Sequence, residues 1–176
     1  MSEAPTFLYD VGSPWCWLAA ERITGVLDSV PDWQPVLGSE LGTQQVDRAA
    51  VEEAALAQGL PAIRWPDPFP FDAELAMLVA TFAKQTGRAV AYSLAAMRQA
   101  FAAGRDLSVT DNVVIAAAAC ELHPRAVLKA VETASVRDAL REATAAAAAR
   151  GVSELPAIIV GESVFAGPGA VEEAAG

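Results

Sequence analysis

From Gln44 to Arg150 the apolar side chains recur at helical spacing, and almost nothing in that stretch alternates as a strand would. Any sheet must therefore be assembled from the two ends of the chain, which the helical block has to bring together. Six helices are expected within it: Gln44–Gln58, Asp72–Thr86, Ala89–Ala103, Asp111–Leu122, Pro124–Ala134 and Val136–Arg150. Asp72 and Ser135 are suitable N-caps, and Gly87, Gly104 and Gly151 suit the left-handed position just past a helix end. Alanine is abundant here because it is the best helix former. The one interruption, Pro61-Ala62-Ile63-Arg64-Trp65-Pro66-Asp67-Pro68-Phe69-Pro70, holds four prolines and reads as a stiff, extended loop.

The ends supply the strands. Thr6–Val11 is an apolar run stopped by Gly12. Gly12-Ser13-Pro14 then starts a helix, since Ser is a favoured N-cap and Pro at the first helical position needs no donor. Cys16, Ala20, Ile23, Leu27 and Val30 follow at spacings of four, three, four and three, one apolar face that turns Cys16 toward the core. Trp33–Leu37 is the expected second strand, with Pro35 confining it to an edge or delaying its start. Strand, helix, strand implies a parallel pair with a right-handed crossover. At the other end, Ala157–Val160 and Ser163–Phe165 flank Gly161-Glu162, a hairpin with glycine where a type II′ turn wants it, and Val171–Ala174 forms a helical stub.

With 176 residues the chain is expected to form a single domain, residues 1–176, whose core takes about 5–40 and 151–176, with 44–150 as an all-helical insertion. A net charge of −10 and a pI near 4.5 argue against nucleic acid and against an anionic membrane surface as partners. Met1–Pro5 has no basic leader pattern, so a cytoplasmic location is expected. The two cysteines, Cys16 and Cys120, are isolated and read as free thiols, and no cysteine or histidine cluster suggests a metal.

An α/β layout of βαβ unit, helical block and closing hairpin with Pro156 at its mouth is that of a thioredoxin-like fold. The motifs sharpen it. Phe7-Leu8-Tyr9-Asp10 with Ser13-Pro14-Trp15-Cys16-Trp17-Leu18-Ala19, then Gly59-Leu60-Pro61 and Trp65–Pro70, Phe101–Leu107 and Gly151–Pro156 resemble DsbA-like proteins. The branch they resemble holds 2-hydroxychromene-2-carboxylate isomerase and the kappa-class glutathione transferases, and the likeness covers nearly the whole chain. It implies a DsbA-like thioredoxin fold with a helical insertion, a cis peptide before Pro156, and a homodimer. It further implies glutathione, or another low-molecular-weight thiol, bound along Leu155 and Pro156. One piece departs: the branch follows its hairpin with an Asp-containing turn, whereas Phe165-Ala166-Gly167-Pro168-Gly169-Ala170 carries neither carboxylate nor hydroxyl.

A dithiol oxidoreductase attacks with a cysteine at the helix start; this chain has Ser13 there and Cys16 at the resolving position. Serine forms no disulfide, and with His123 as the chain's one histidine it lacks a base to make it an acyl nucleophile. It can cap the helix, and it can donate a hydrogen bond to a ligand thiolate; the two roles coexist. The resemblance implies Ser13 as the catalytic group of a glutathione-dependent isomerase or transferase of aromatic 2-oxo acids, with Trp15, Cys16 and Trp65 as candidate walls of the substrate cavity. Packing is the competing role for the tryptophans, and Cys16 competes as a small buried hydrophobe. Two rival functions remain: a DsbA-type thiol–disulfide oxidoreductase, and a non-catalytic thioredoxin-fold binding protein.

Overall fold

The computed structural model of the protein describes residues 4–42 and 45–176. Its sheet has the order β2-β1-β3-β4, where β1 is Thr6–Tyr9, β2 Asp32–Pro35, β3 Ala157–Val160 and β4 Ser163–Ala166. β1 and β2 run parallel, with Phe7 beside Trp33 and Tyr9 beside Pro35. β1 and β3 run antiparallel, Phe7 beside Ile158, so the two chain ends do meet in one sheet. Pro35 lies on an edge strand, where its missing donor costs no ladder bond. It closes that strand rather than delaying it, and the strand begins one residue before Trp33.

Helix α1, Pro14–Val26, makes the crossover. It stops before Val30, which is 81% exposed and not part of the apolar face the spacing suggested. Between β2 and β3 lie α2 (Gly38–Leu41), α3 (Arg48–Ala57), α4 (Glu74–Gln85), α5 (Ala89–Phe101), α6 (Thr110–Ala118), α7 (Pro124–Val131) and α8 (Ala134–Ala149); α9, Ala170–Ala175, ends the chain. The short α2 has no apolar period long enough to announce it. Gln44, the expected start of α3, lies outside the described residues; that helix is capped by Asp47, whose Oδ1 accepts from the Ala50 amide at 3.2 Å. Thr133, and not Ser135, caps α8, its hydroxyl oxygen accepting from the Val136 amide at 3.4 Å. The glycines behave as expected: Gly87, Gly104 and Gly151 take φ of 74°, 69° and 82°.

The core joins sheet and helical block. Phe7 and Tyr9, two apart on β1, share a face and meet the Trp33 ring at 4.9 and 5.4 Å. Full burial of a side chain such as Phe7 contributes about 1.5–3 kcal/mol. The hydroxyls of Tyr9 and Ser93, the latter on α5, lie 2.6 Å apart and hydrogen-bond across that interface. Between α5 and α1, Arg98 donates to Glu21 from Nε and Nη2, at 2.7 and 2.8 Å, while the Trp17 indole donates to the same carboxylate at 2.9 Å.

Candidate active site

The site is built by the turn that leaves β1. Asp10, at the end of the strand, is only 7% exposed. Its Oδ1 accepts from the Gly12 amide at 2.7 Å and its Oδ2 from the Gly38 amide at 2.8 Å. One carboxylate thus ties the approach to α1 to the start of α2. Gly12 sits in tight quarters: a Cβ there would lie 3.1 Å from the Ala73 Cβ and 3.2 Å from Asp10 Oδ1, so both neighbours would have to give way slightly. Burial pushes the Asp10 carboxyl above the usual carboxylate range; the two amides oppose this and the negative charge of Asp72 adds to it.

Ser13 follows in extended conformation, φ −98° and ψ 119°, and its Oγ accepts from the Cys16 amide at 3.2 Å. Pro14 has no N–H, and the Trp17 amide bonds back to the Ser13 carbonyl at 3.2 Å. Of the first turn's amides, the geometry of a helix start leaves that of Trp15 for a ligand. The Ser13 proton is likewise free to be donated outward, since capping uses the oxygen as acceptor.

Half-buried Ser13 stands at a cavity of about 310 Å³. Leu37, Val46, Phe69, Phe71 and Leu155 form much of its wall, and Asp10, Asp72 and Glu74 are its charged members. The starts of α1, α2 and α4 converge on it. The Leu155–Pro156 peptide is cis. The buried Leu155 side chain closes one wall, and among the described residues its backbone N–H and C=O take no hydrogen bond.

The other expected wall residues lie elsewhere. Cys16 is fully buried beneath the helix tip, and burial pushes its thiol up to about 12 against the lowering by the Ser13 hydroxyl. Trp15 packs half-buried against the core. Trp65 donates its indole N–H to Glu52 at 2.6 Å and lies against Phe69, with the Arg48 guanidinium 5.0 Å from its ring centre. None of the three lines the cavity. The proline loop reaches it instead through Phe69, Pro70 and Phe71. Asp10 is the member that sequence reasoning left without a role, although an acid directly after a buried strand was the available signal. The turn at Gly167–Gly169 is also not bare of acid: a Cβ on Gly167 would lie 3.1 Å from Oε2 of Glu154, which flanks the turn from the other side.

A parallel βαβ unit, an antiparallel closing hairpin and a cis proline whose preceding residue shares a cavity with a helix start define a thioredoxin fold, here with a helical insertion. The family model of the DSBA-like thioredoxin domain matches residues 6–175, and the chain belongs to that family. Among solved structures, 2-hydroxychromene-2-carboxylate isomerase is similar with TM-score 0.83 at 14% identity, over 94% of this chain and 89% of that one. A structure described as a probable DsbA oxidoreductase from Streptomyces coelicolor gives 0.79 at 17%, over 98% and 88%. The cytosolic disulfide reductase DsbM from Pseudomonas aeruginosa, solved with GSH, gives 0.67 at 16%, over 92% and 88%. At such identities these likenesses speak for the fold. No curated protein matches the chain. Among the described residues no helix is long and apolar enough to cross a membrane, and no group of side chains is arranged to hold a metal.

Proposed function

We propose that the protein is a thiol-dependent isomerase or transferase of conjugated aromatic substrates, with glutathione or another low-molecular-weight thiol as its cofactor. One observation carries the reading: the helix tip at the cavity presents a hydroxyl, while the nearest cysteine is sealed beneath it and held protonated. A sulfur reacting here must come with the ligand. The thiolate would take a hydrogen bond from the Ser13 hydroxyl and one from the Trp15 amide, at the positive end of α1. Leu155 would pair with the thiol's peptide through its backbone N–H and C=O, which take no hydrogen bond among the described residues.

In an isomerisation the thiolate adds to the conjugated carbon. The electron pair passes to the substrate carbonyl as an enolate, and the former double bond turns. Collapse of the enolate then expels the thiolate unchanged. A transferase would retain the adduct and protonate it. The same reading takes the molecule as a cytoplasmic homodimer, and sedimentation of the purified chain tests the oligomeric part.

Ser13→Gly tests the whole, because glycine preserves most of the cap's stability. A hydrogen bond to a charged group contributes about 1.5–3 kcal/mol, or about one to two pKa units. The variant should raise the pKa of bound thiol by that amount, followed by thiolate absorbance, and should slow turnover at least tenfold. Unchanged values, or no affinity for any small thiol in the parent protein, would defeat the proposal.

A further inference from the structure

The cavity beside Ser13 has charge of one sign. Asp10 lies buried on its wall, and Asp72 and Glu74 stand exposed at the start of α4. Among the described residues no lysine, arginine or histidine lines it. Arg48, exposed on the neighbouring α3, packs behind the wall without lining the space: its guanidinium lies over the Trp65 and Phe69 rings, 5.0 and 5.4 Å from their centres, and it donates to the Phe69 carbonyl at 3.4 Å.

The helix starts do not restore a positive field for a second anionic group. Three of the amides that would face an incoming anion already donate to the protein's own carboxylates: Gly12 and Gly38 to Asp10, and Glu74 to Asp72 at 2.9 Å. What remains is a pocket with an acidic edge and an aromatic wall, Phe71 standing beside Asp72 in sequence and both lining the space. That combination recognises an ammonium group, by charge and by the face of a ring. A net charge of −10 adds a long-range field of the same sense.

We propose that the substrate occupying this cavity carries an ammonium group, directed at Asp72 and Glu74, and not the carboxylate of an aromatic acid. The proposal rests on reading this cavity as the substrate site, and narrows the substrate from the acids that the family resemblance implied to aromatic compounds that bear an alkylammonium group. The sulfur keeps the place at Ser13, any carboxylate of the thiol cofactor lies outside this space, and the positive group of the substrate sits at the α4 end.

Three probes with the same phenylpropyl frame and different charge test it by calorimetry at low ionic strength: 3-phenylpropylamine, 3-phenylpropan-1-ol and 3-phenylpropanoate. The amine should bind at least about tenfold more tightly than the carboxylate, with the alcohol between, and its advantage should shrink as salt is added. The double variant Asp72→Asn/Glu74→Gln removes both charges and keeps at position 72 an oxygen for the amide of residue 74, although Ala73 and not Asp72 is the N-cap of α4, and it should erase most of the preference. Equal or tighter binding of 3-phenylpropanoate, no binding of any probe at millimolar concentration, or a preference untouched by the double variant would each overturn the proposal. None of the probes contains sulfur, so the same series on Ser13→Gly should show the same order. Failure of the thiol chemistry is thereby read separately from failure of the charge preference.

Discussion

Asp10 shows how one side chain can hold a site in shape at an electrostatic cost. Its two oxygens satisfy amides from segments 26 residues apart, Gly12 and Gly38, yet the charge is held out of water. Replacing it by asparagine leaves one acceptor for two donors, so one of those amides faces an NH₂ group. Asp10→Asn should therefore cost about 1–3 kcal/mol in urea unfolding. The pH dependence has a definite sign. Because the folded carboxyl lies above its ordinary value of 3.8, the native chain keeps a proton that the unfolded chain has released. Between those two values this group's contribution makes stability fall as pH rises. The margin of the wild type over Asp10→Asn should thus be greatest below the ordinary value and shrink as pH rises through the raised one; a margin that grows over that range would contradict the placement of a buried charge. Glu21 provides the opposite case. The Arg98 hydrogen bonds hold its carboxyl below the usual glutamate value of 4.5, so its stabilising effect is present above that value and lost as pH falls through the lowered one. Partly exposed as the pair is, Glu21→Gln should cost no more than about 1 kcal/mol at neutral pH and should flatten this acid limb.

At the level of elements, the boundary of α8 separates what local pattern can say from what it cannot. Both Thr133 and Ser135 are chemically able to cap, and the alanine-rich run behind them contains no residue that chooses between them. The fold chooses Thr133, which also donates its own hydroxyl proton to the Ala130 carbonyl at 2.6 Å and so closes the end of α7. Thr133→Ala should lose about 1 kcal/mol of stability, whereas Ser135→Ala, exposed within the first turn, should change it by less than about 0.5 kcal/mol. Equal effects would show that the cap is misplaced. The elements themselves were legible because their signals are local: an apolar strand before Gly12, a helical period after Pro14, glycines at helix ends, a two-residue turn at Gly161-Glu162. The place of Ser13 at a helix start is local in the same way; that Leu155 shares its corner came from the family resemblance. The cavity walls were not legible. Trp65 and Phe69 lie in one proline-rich segment with nothing in their spacing to say which ring turns inward. Val30 keeps the period of α1 although the helix has already ended at Val26. Tertiary contacts decide both.

Taken as a whole, the molecule carries two thiols and exposes neither in reactive form. Cys16 is sealed under the tip of α1, and Cys120, directly after α6, is 7% exposed with its Sγ donating to the Ala116 carbonyl at 3.4 Å. Burial pushes both thiols up, Cys16 to about 12, and at Cys120 the nearby Arg88 only partly opposes it. Thiol–disulfide exchange proceeds through the thiolate, and at pH 8 a group of pKa about 12 is ionised to only about one part in ten thousand. A disulfide reagent added to the folded chain at that pH should therefore label neither cysteine within minutes. In denaturant it should label both, in a ratio of two per chain. Reduction of insulin by dithiothreitol should run no faster with the protein than without it, and Cys16→Ala should leave that result unchanged. Rapid labelling of one cysteine in the native state, accompanied by insulin reduction that Cys16→Ala abolishes, would mean that α1 opens to expose its thiol. The chain would then be working as its dithiol relatives do, with sulfur of its own.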